Sequence, residues 1–438
     1  MRWCASWDRQ FRRIPLASTR FRAQRREGRM LVGMVVSNDA ATLIDLADAA
    51  DAAVSGGKAA PLARLLRSGW PVPPGFVVPV RAYADAVARL DPHRDPDAAR
   101  ALIERAELPS TLVAEISREL VRIGGPSGYV AVRSSATSED GADAAAGQHD
   151  TFLGVRGADA VADAVRRCWA SLWSERAVEY RRARATDIEP PATAVLVQRL
   201  IDAEVAGVMF TGTDIRIEAS PGLGTNVVGG EVTPDSWLVS GGAIVDRRLG
   251  AKDRRTDRLH GQVVTRAIPD SGRFCLTDEM VSRLARLGRE IEELFGGTRD
   301  IEWAIADDRI WLLQARPVTA ALPPARSVGA GSLTGTPGSV GQAAGPVRVV
   351  RGPSDFVEVR PGDVLVCRTT EPAWTPLFGI VAAVVTEIGG LLSHAAIVAR
   401  EQGIPAVLAV PDATTVLPEG AMVHVDGDTG RVTLTDER

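Results

Sequence analysis

Lysine is scarce in this sequence: of 51 Lys and Arg residues only Lys58 and Lys252 are lysine. Each is conspicuous for that reason, because a compact ammonium and a planar guanidinium are not interchangeable at a phosphate site. Cysteine is as sparse. Cys4, Cys168, Cys275 and Cys367 are scattered with no CxxC pair, which argues against a disulfide framework or a zinc site and fits a reducing cytoplasm. No run of about 18 apolar residues offers a membrane span, and the N-terminus lacks the apolar stretch of a secretory signal. Excess positive charge is missing too: the formal net charge of −4 gives no reason to expect nucleic-acid binding.

What is present is apolar material for more than one core. A chain of 438 residues, 45% hydrophobic and 24% charged, should divide into two or three domains. Residues 1–38 are rich in arginine and nearly free of acids. They are expected to be a disordered leader or the product of a start placed too far upstream, with Met30 or Met34 as the alternative start; a transit peptide is the other reading. Residues 39–319 mix two periodicities. DAVADAVRRCWASLWSERAVEYRRARA (159–185) reads as an amphipathic helix, whereas TAVLVQRLI, VAGVMFTG and IRIEAS read as strands. The fold class is therefore α/β or α+β. Residues 320–332, AALPPARSVGAGS, read as a flexible linker, able to span roughly 20 Å on average and about 45 Å when extended.

Residues 333–438 read as a compact second domain. The apolar strand IVAAVVTEI, the helix after Gly390 and the strand AVLAV make a βαβ unit, and MVHVDGDTGRVTL closes it as a hairpin. Gly389, Gly390 and His394 fall at the C-terminal end of a strand, where open α/β sheets bind ligands. Ser393 is a good N-cap and places His394 in the first helical turn. The helix dipole there disfavours imidazolium and favours an anion, so a neutral ring can attack phosphorus. A buried histidine in a strand-to-helix turn is the plainer reading.

Three further stretches carry chemistry. In SGGKAAPLARLL, Gly56, Gly57 and Lys58 precede a helix and suit a phosphate contact, but the spacing is not that of a P-loop. VAVRSSATSEDGADAAAGQHDTFLGV is read as a strand ending at Arg133, followed by a loop from Ser134, Ser135 and Thr137 to Gly147 and Gln148 that can fold over phosphates. DIEWAIADDRIWLLQARPVT reads as a hairpin turning at Asp307 and Asp308, with Glu302 nearly opposite Gln314 and Arg316 following on the same alternation. Such oxygen ligands suit Mg²⁺ held between protein and nucleotide phosphates. A helix entry, a surface loop and a solvated hairpin face are the respective structural alternatives. Lys252, in GAKDRR, either touches nucleotide or is simply exposed, and exposure is the favoured reading.

Together these blocks, with VLVQRLIDAEVAGVMFTG and GLGTNVVGGEVTPDSW, resemble in order the phosphoenolpyruvate synthase and pyruvate phosphate dikinase family, whose relatives include rifamycin-type antibiotic phosphotransferases. The resemblance runs from about residue 50 to the end. It implies an ATP-grasp nucleotide domain over 39–319 and a smaller swivelling phosphohistidine domain over 333–438. It also implies ATP and Mg²⁺ as cofactors, with the β-phosphoryl group passing to His394 and AMP and phosphate released. Carried over by position, Lys58, Arg133 and Arg316 would hold ATP phosphates and Glu302 and Gln314 the metal. Gln198 would lie near the nucleotide, and Thr137, Gly147, Gly222 and Gly224 in loops around the phosphates. The acceptor domain of such enzymes has no counterpart here, so the acceptor is expected to be a small molecule or to sit on a partner protein. The alternative is a non-catalytic ATP-binding regulatory or partner subunit. A cytoplasmic location, no membrane and no nucleic acid complete the expectation.

Overall fold

The computed structural model describes residues 43–87, 96–124, 128–137, 151–174, 177–178, 192–269, 272–318 and 333–435. The expected leader (1–38), the linker (320–332) and Gly147 with Gln148 lie outside the described residues.

The helix α1 (Ala52–Arg67) opens the N-terminal part. Asp51 caps it, its Oδ1 accepting the Ala53 N–H at 2.9 Å. The helix is interrupted at Gly56, whose φ of 77° and ψ of 167° are not helical. A Cβ there would stand 1.9 Å from the Ser135 carbonyl oxygen, so only glycine lets the strand approach this closely. Ser135 uses the gap. Its Oγ accepts the freed N–H groups of Lys58 (3.1 Å) and Ala59 (3.2 Å) and donates to Ser55 O (2.9 Å), capping the second half of the helix from a distant strand.

A five-stranded antiparallel sheet packs beside α1. Its order is Ile44–Asp45, β1 (Gly75–Val78), β4 (Thr193–Arg199), β2 (Val130–Ala136), β3 (Thr151–Val155). β2 runs through to Ala136 rather than stopping at Arg133. Ser134 and Ser135 are therefore buried strand residues, pinned by pairing with Val195 and Ala194, and not part of a phosphate loop. Helix α2 (Ala158–Ser171) covers this sheet and breaks at Ser171, where one helix over 159–185 is expected from the sequence; residues 175–176 and 179–185 lie outside the described residues.

A second antiparallel sheet holds six strands, β5 (Val205–Phe210), β6 (Asp214–Pro221), β7 (Asp235–Ser240), β8 (Ala243–Arg248), β11 (Arg299–Ala306) and β12 (Arg309–Pro317), ordered β12-β11-β5-β6-β7-β8. Between β8 and β11 in the chain lie a separate hairpin, β9 (Arg254–Leu259) and β10 (Gln262–Ala267), and helix α3 (Asp278–Phe295). The β11–β12 turn lies where the alternation places it: Asp307 and Asp308 have φ of 51° and 56°, and Ala306 pairs with Arg309. One continuous core joins α1, α3 and both sheets, with Leu62, Leu196, Met209, Leu284 and Trp303 fully buried in it.

The C-terminal part is an eight-stranded mixed sheet. Its parallel centre comprises β14 (Gln342–Val349), β15 (Val364–Cys367), β16 (Ala383–Thr386) and β17 (Ala406–Leu408). β13 (Thr336–Ser339) edges it on one side, and β18 (Met422–Asp426) with β19 (Arg431–Leu434) closes the other as the expected hairpin. Helix α4 (His394–Gln402) connects β16 to β17. β16 is buried at all four positions, as its apolar run requires. Among the described residues no helix is long and apolar enough to cross a membrane.

Lys252 is not exposed. It is 2% accessible, and its Nζ donates to Asp235 Oδ1 at 2.7 Å and to Gly250 O at 2.9 Å. Asp235, itself 0% accessible, also accepts the N–H groups of Gly250 and Cys275 at 2.8 Å each. An ammonium so placed is tolerated because its charge is paired and its donors are used.

Candidate active site

A cavity of about 540 Å³ is lined jointly by both antiparallel sheets, by the loop after β15 and by α4. Lys58, Arg133, Gln198, Gly224, Glu302, Gln314, Arg316 and His394 all face it. The expected positions are thus gathered from segments spread over more than 330 residues of chain.

The charged wall is built on β2, β11 and β12. Glu302 pairs with Gln314 across the ladder, with a bulge directly after Glu302. Arg133 reaches from the other sheet, donating to Glu302 Oε2 and to Leu313 O at 3.0 Å each. Arg316 faces Asp300 across the same ladder and donates to its Oδ2 at 2.7 Å. Burial pushes the Asp300 carboxyl up against the pull of Arg316. Its second oxygen makes no hydrogen bond among the described residues. Lys58 Nζ donates to Ser134 O at 2.8 Å, and Gln198 Nε2 to Pro73 O at 3.1 Å. The opposite floor is apolar: Leu153, Leu200, Ile201, Ala206, Leu223 and Leu313 pack as one cluster. Among the described residues no group of three or more His, Cys, Asp or Glu side chains gathers to hold a metal.

Two expected residues stand apart from the cavity lining. Thr137 is exposed at the end of β2, its Oγ1 donating to Ala192 O at 3.4 Å. Gly222, with φ of 86°, seats the β9–β10 hairpin instead: a Cβ there would lie 2.4 Å from Thr256 O, and the next N–H, Leu223, donates to that oxygen at 2.8 Å.

His394 opens α4 and is 8% accessible. Ser393 has the extended backbone of an N-cap but makes no capping bond; its Oγ is buried beside Gly389 and has no hydrogen bond among the described residues. The imidazole is held through its nitrogens. Nδ1 lies 2.8 Å from Thr370 Oγ1 and Nε2 3.2 Å from Thr375 Oγ1, while Phe378 stands edge-on with ring centroids 5.9 Å apart.

The turn carrying His394 is seated against the six-stranded sheet of the N-terminal part. Glu218 Oε1 on β6 accepts the Leu391 N–H at 2.9 Å, and a Cβ on Gly390 would meet Glu218 Oε2 at 2.4 Å. Thr369 Oγ1 donates to Gly230 O at 3.0 Å, and Leu391 and Leu392 join Val208, Phe210 and Val227 in an apolar cluster. Burial pushes the Glu218 carboxyl up to about 7, against the pull of the Leu391 N–H and the Arg400 guanidinium. Burial likewise pulls Arg400 down to about 10.

The sequence reading missed Glu218, Thr370 and Thr375, and also Thr225, Glu231 and Glu371, which line the same cavity. For the two threonines a signal existed: VLVCRTTEPAWTP puts hydroxyls just past the C-terminal end of a parallel strand, the same end as His394. Glu218 had none, since its partner is 173 residues away.

The family model described as pyruvate phosphate dikinase, AMP/ATP-binding domain, matches residues 52–326, and that of the PEP-utilising enzyme, mobile domain, matches 359–430. A probable phosphoenolpyruvate synthase of Methanothermobacter thermautotrophicus is 39% identical over 420 residues, 87% of this chain. The phosphoenolpyruvate synthases of Pyrococcus furiosus and Pseudomonas aeruginosa are 35% and 37% identical, over 87% and 86% of this chain. The chain spans 61%, 57% and 55% of the length of these three relatives. With the nucleotide-binding model matched over most of its length, the chain belongs to the pyruvate phosphate dikinase family, as an ATP-grasp domain followed by a mobile domain of the PEP-utilising type.

Proposed function

We propose that the protein is an ATP-dependent phosphotransferase of the dikinase type with His394 as its phosphoryl carrier. The observation that carries this reading is the single cavity shared by His394 and the phosphate- and metal-type side chains of the nucleotide half. The nucleotide domain would comprise residues 39–319 and the carrier domain 333–438, joined by 320–332. The apolar floor suits a flat purine ring, and Lys58, Arg133 and Arg316 supply cationic donors for a polyphosphate. Mg²⁺ fits the oxygens of Glu302 and Gln314: two protein ligands leave room for phosphate oxygens and water, and Asp300, one oxygen of which has no hydrogen bond among the described residues, lies two residues before Glu302 on the same strand. Bound there, the ion would neutralise phosphate charge.

In this reading a His394 ring nitrogen attacks the β-phosphorus of ATP. The N–P bond forms as the bond to the α-phosphate oxygen breaks, AMP leaves, and water takes the γ-phosphoryl group as inorganic phosphate. The carrier then delivers its phosphoryl group to an acceptor, a small molecule or one held by a separate protein.

Product identity tests the proposal. Incubation with Mg²⁺ and ATP followed by nucleotide chromatography is expected to yield AMP and phosphate, with Glu302→Gln and Arg316→Met each lowering the yield at least roughly tenfold. ADP as the product would contradict the dikinase mechanism. ATP binding without any product would favour the regulatory-subunit alternative.

A further inference from the structure

The hydrogen-bond chain around His394 fixes where the ring proton sits. Thr375 Oγ1 lies 2.8 Å from Pro372 O, a carbonyl that can only accept. A hydroxyl has one hydrogen, and Thr375 spends it there. Towards His394 Nε2, at 3.2 Å, the same oxygen can then only accept, so Nε2 must carry hydrogen. A neutral imidazole has a single N–H, which leaves Nδ1 bare to accept from the Thr370 hydroxyl at 2.8 Å. Thr370 is 1% accessible, where an unmade hydrogen bond is costly. A doubly protonated ring would place its charge at the positive end of α4.

We infer that Thr375 is a positioning residue that holds His394 in the Nε2–H tautomer, so that this arrangement is a restrained state of the carrier. Thr375, the partner of Nε2, is half-buried, and Thr370, the partner of Nδ1, is fully buried. In the restrained state the lone pair is on Nδ1, against Thr370, and Nε2 is blocked by its proton. For Nε2 to act on an electrophile, the ring proton must move to Nδ1. Thr370 must then turn from donor to acceptor, and Thr375 must release Nε2. The inference rests on the carrier role proposed for His394, but its test does not.

The test is a long-range ¹H–¹⁵N correlation spectrum of the full chain labelled with ¹⁵N-histidine, at pH 8 and without nucleotide. There are five histidines, and His394→Ala identifies the signal. The expected result is a pyrrole-type Nε2 and a pyridine-type Nδ1. Thr375→Val should move the tautomer ratio by roughly fivefold towards Nδ1–H, the equivalent of one ordinary hydrogen bond, and Thr375→Ser should restore the wild-type spectrum. An Nδ1–H pattern, averaged shifts or a doubly protonated ring in the wild type would overturn the inference, as would a ratio unmoved in Thr375→Val. Because no nucleotide is added, none of these results depends on whether His394 is phosphorylated.

Discussion

Lys252 and Glu218 show how a charged side chain acquires its role from burial. Lys252→Met removes the cation paired with Asp235 and leaves a buried carboxylate with the two backbone N–H groups of Gly250 and Cys275. The expected loss is about 3–5 kcal/mol of unfolding free energy, measured by urea denaturation. Glu218 works through pH. Its carboxyl rises from an ordinary 4.5 to about 7 on folding because burial penalises the charge. The folded state therefore holds the proton more tightly than the unfolded chain. The stability associated with it is complete below about pH 4.5 and is lost as pH rises through about 7. The shift corresponds to about 3 kcal/mol. Glu218→Gln keeps an oxygen for the Leu391 N–H and has no charge, so its denaturation midpoint should lack the decline that the wild type shows between pH 5 and 8.

At the scale of the element, local chemistry was legible where the relevant contacts are local. The β11–β12 hairpin, its two-aspartate turn and the opposition of Glu302 to Gln314 follow from alternation alone. β16 follows from a continuous apolar run instead, and α4 from the helical pattern after Gly390, with its start at His394 as expected. The sequence misled where a distant segment decides. Ser134 and Ser135 look like loop residues, yet β4 pairs with them and the kink in α1 uses the Ser135 hydroxyl as its cap. Ser393 looks like a cap and makes no capping bond. The kink itself is testable. Gly56→Ala forces a side chain against the Ser135 carbonyl at positive φ, at a cost of at least about 1–2 kcal/mol. Because Lys58 lies two residues on, ATP affinity measured by calorimetry should fall roughly tenfold or more with the stability.

In the whole molecule, the order of motifs revealed the two-part organisation, whereas the seating of one part on the other was hidden. Glu218, Gly230 and the Leu391–Leu392 pair meet only because the fold returns the C-terminal turn to β6. No periodicity could reveal that contact. It brings His394 to the shared cavity, where this histidine is proposed to take a phosphoryl group. The most direct measurement incubates the full chain and His394→Ala with Mg²⁺ and ATP labelled separately at the β and γ positions, and follows label that is acid-labile and base-stable on the protein. The account expects β-label on the wild type, none on His394→Ala, and AMP formed alongside. Label retained on His394→Ala, or no transfer of either label although ATP binds, would contradict it.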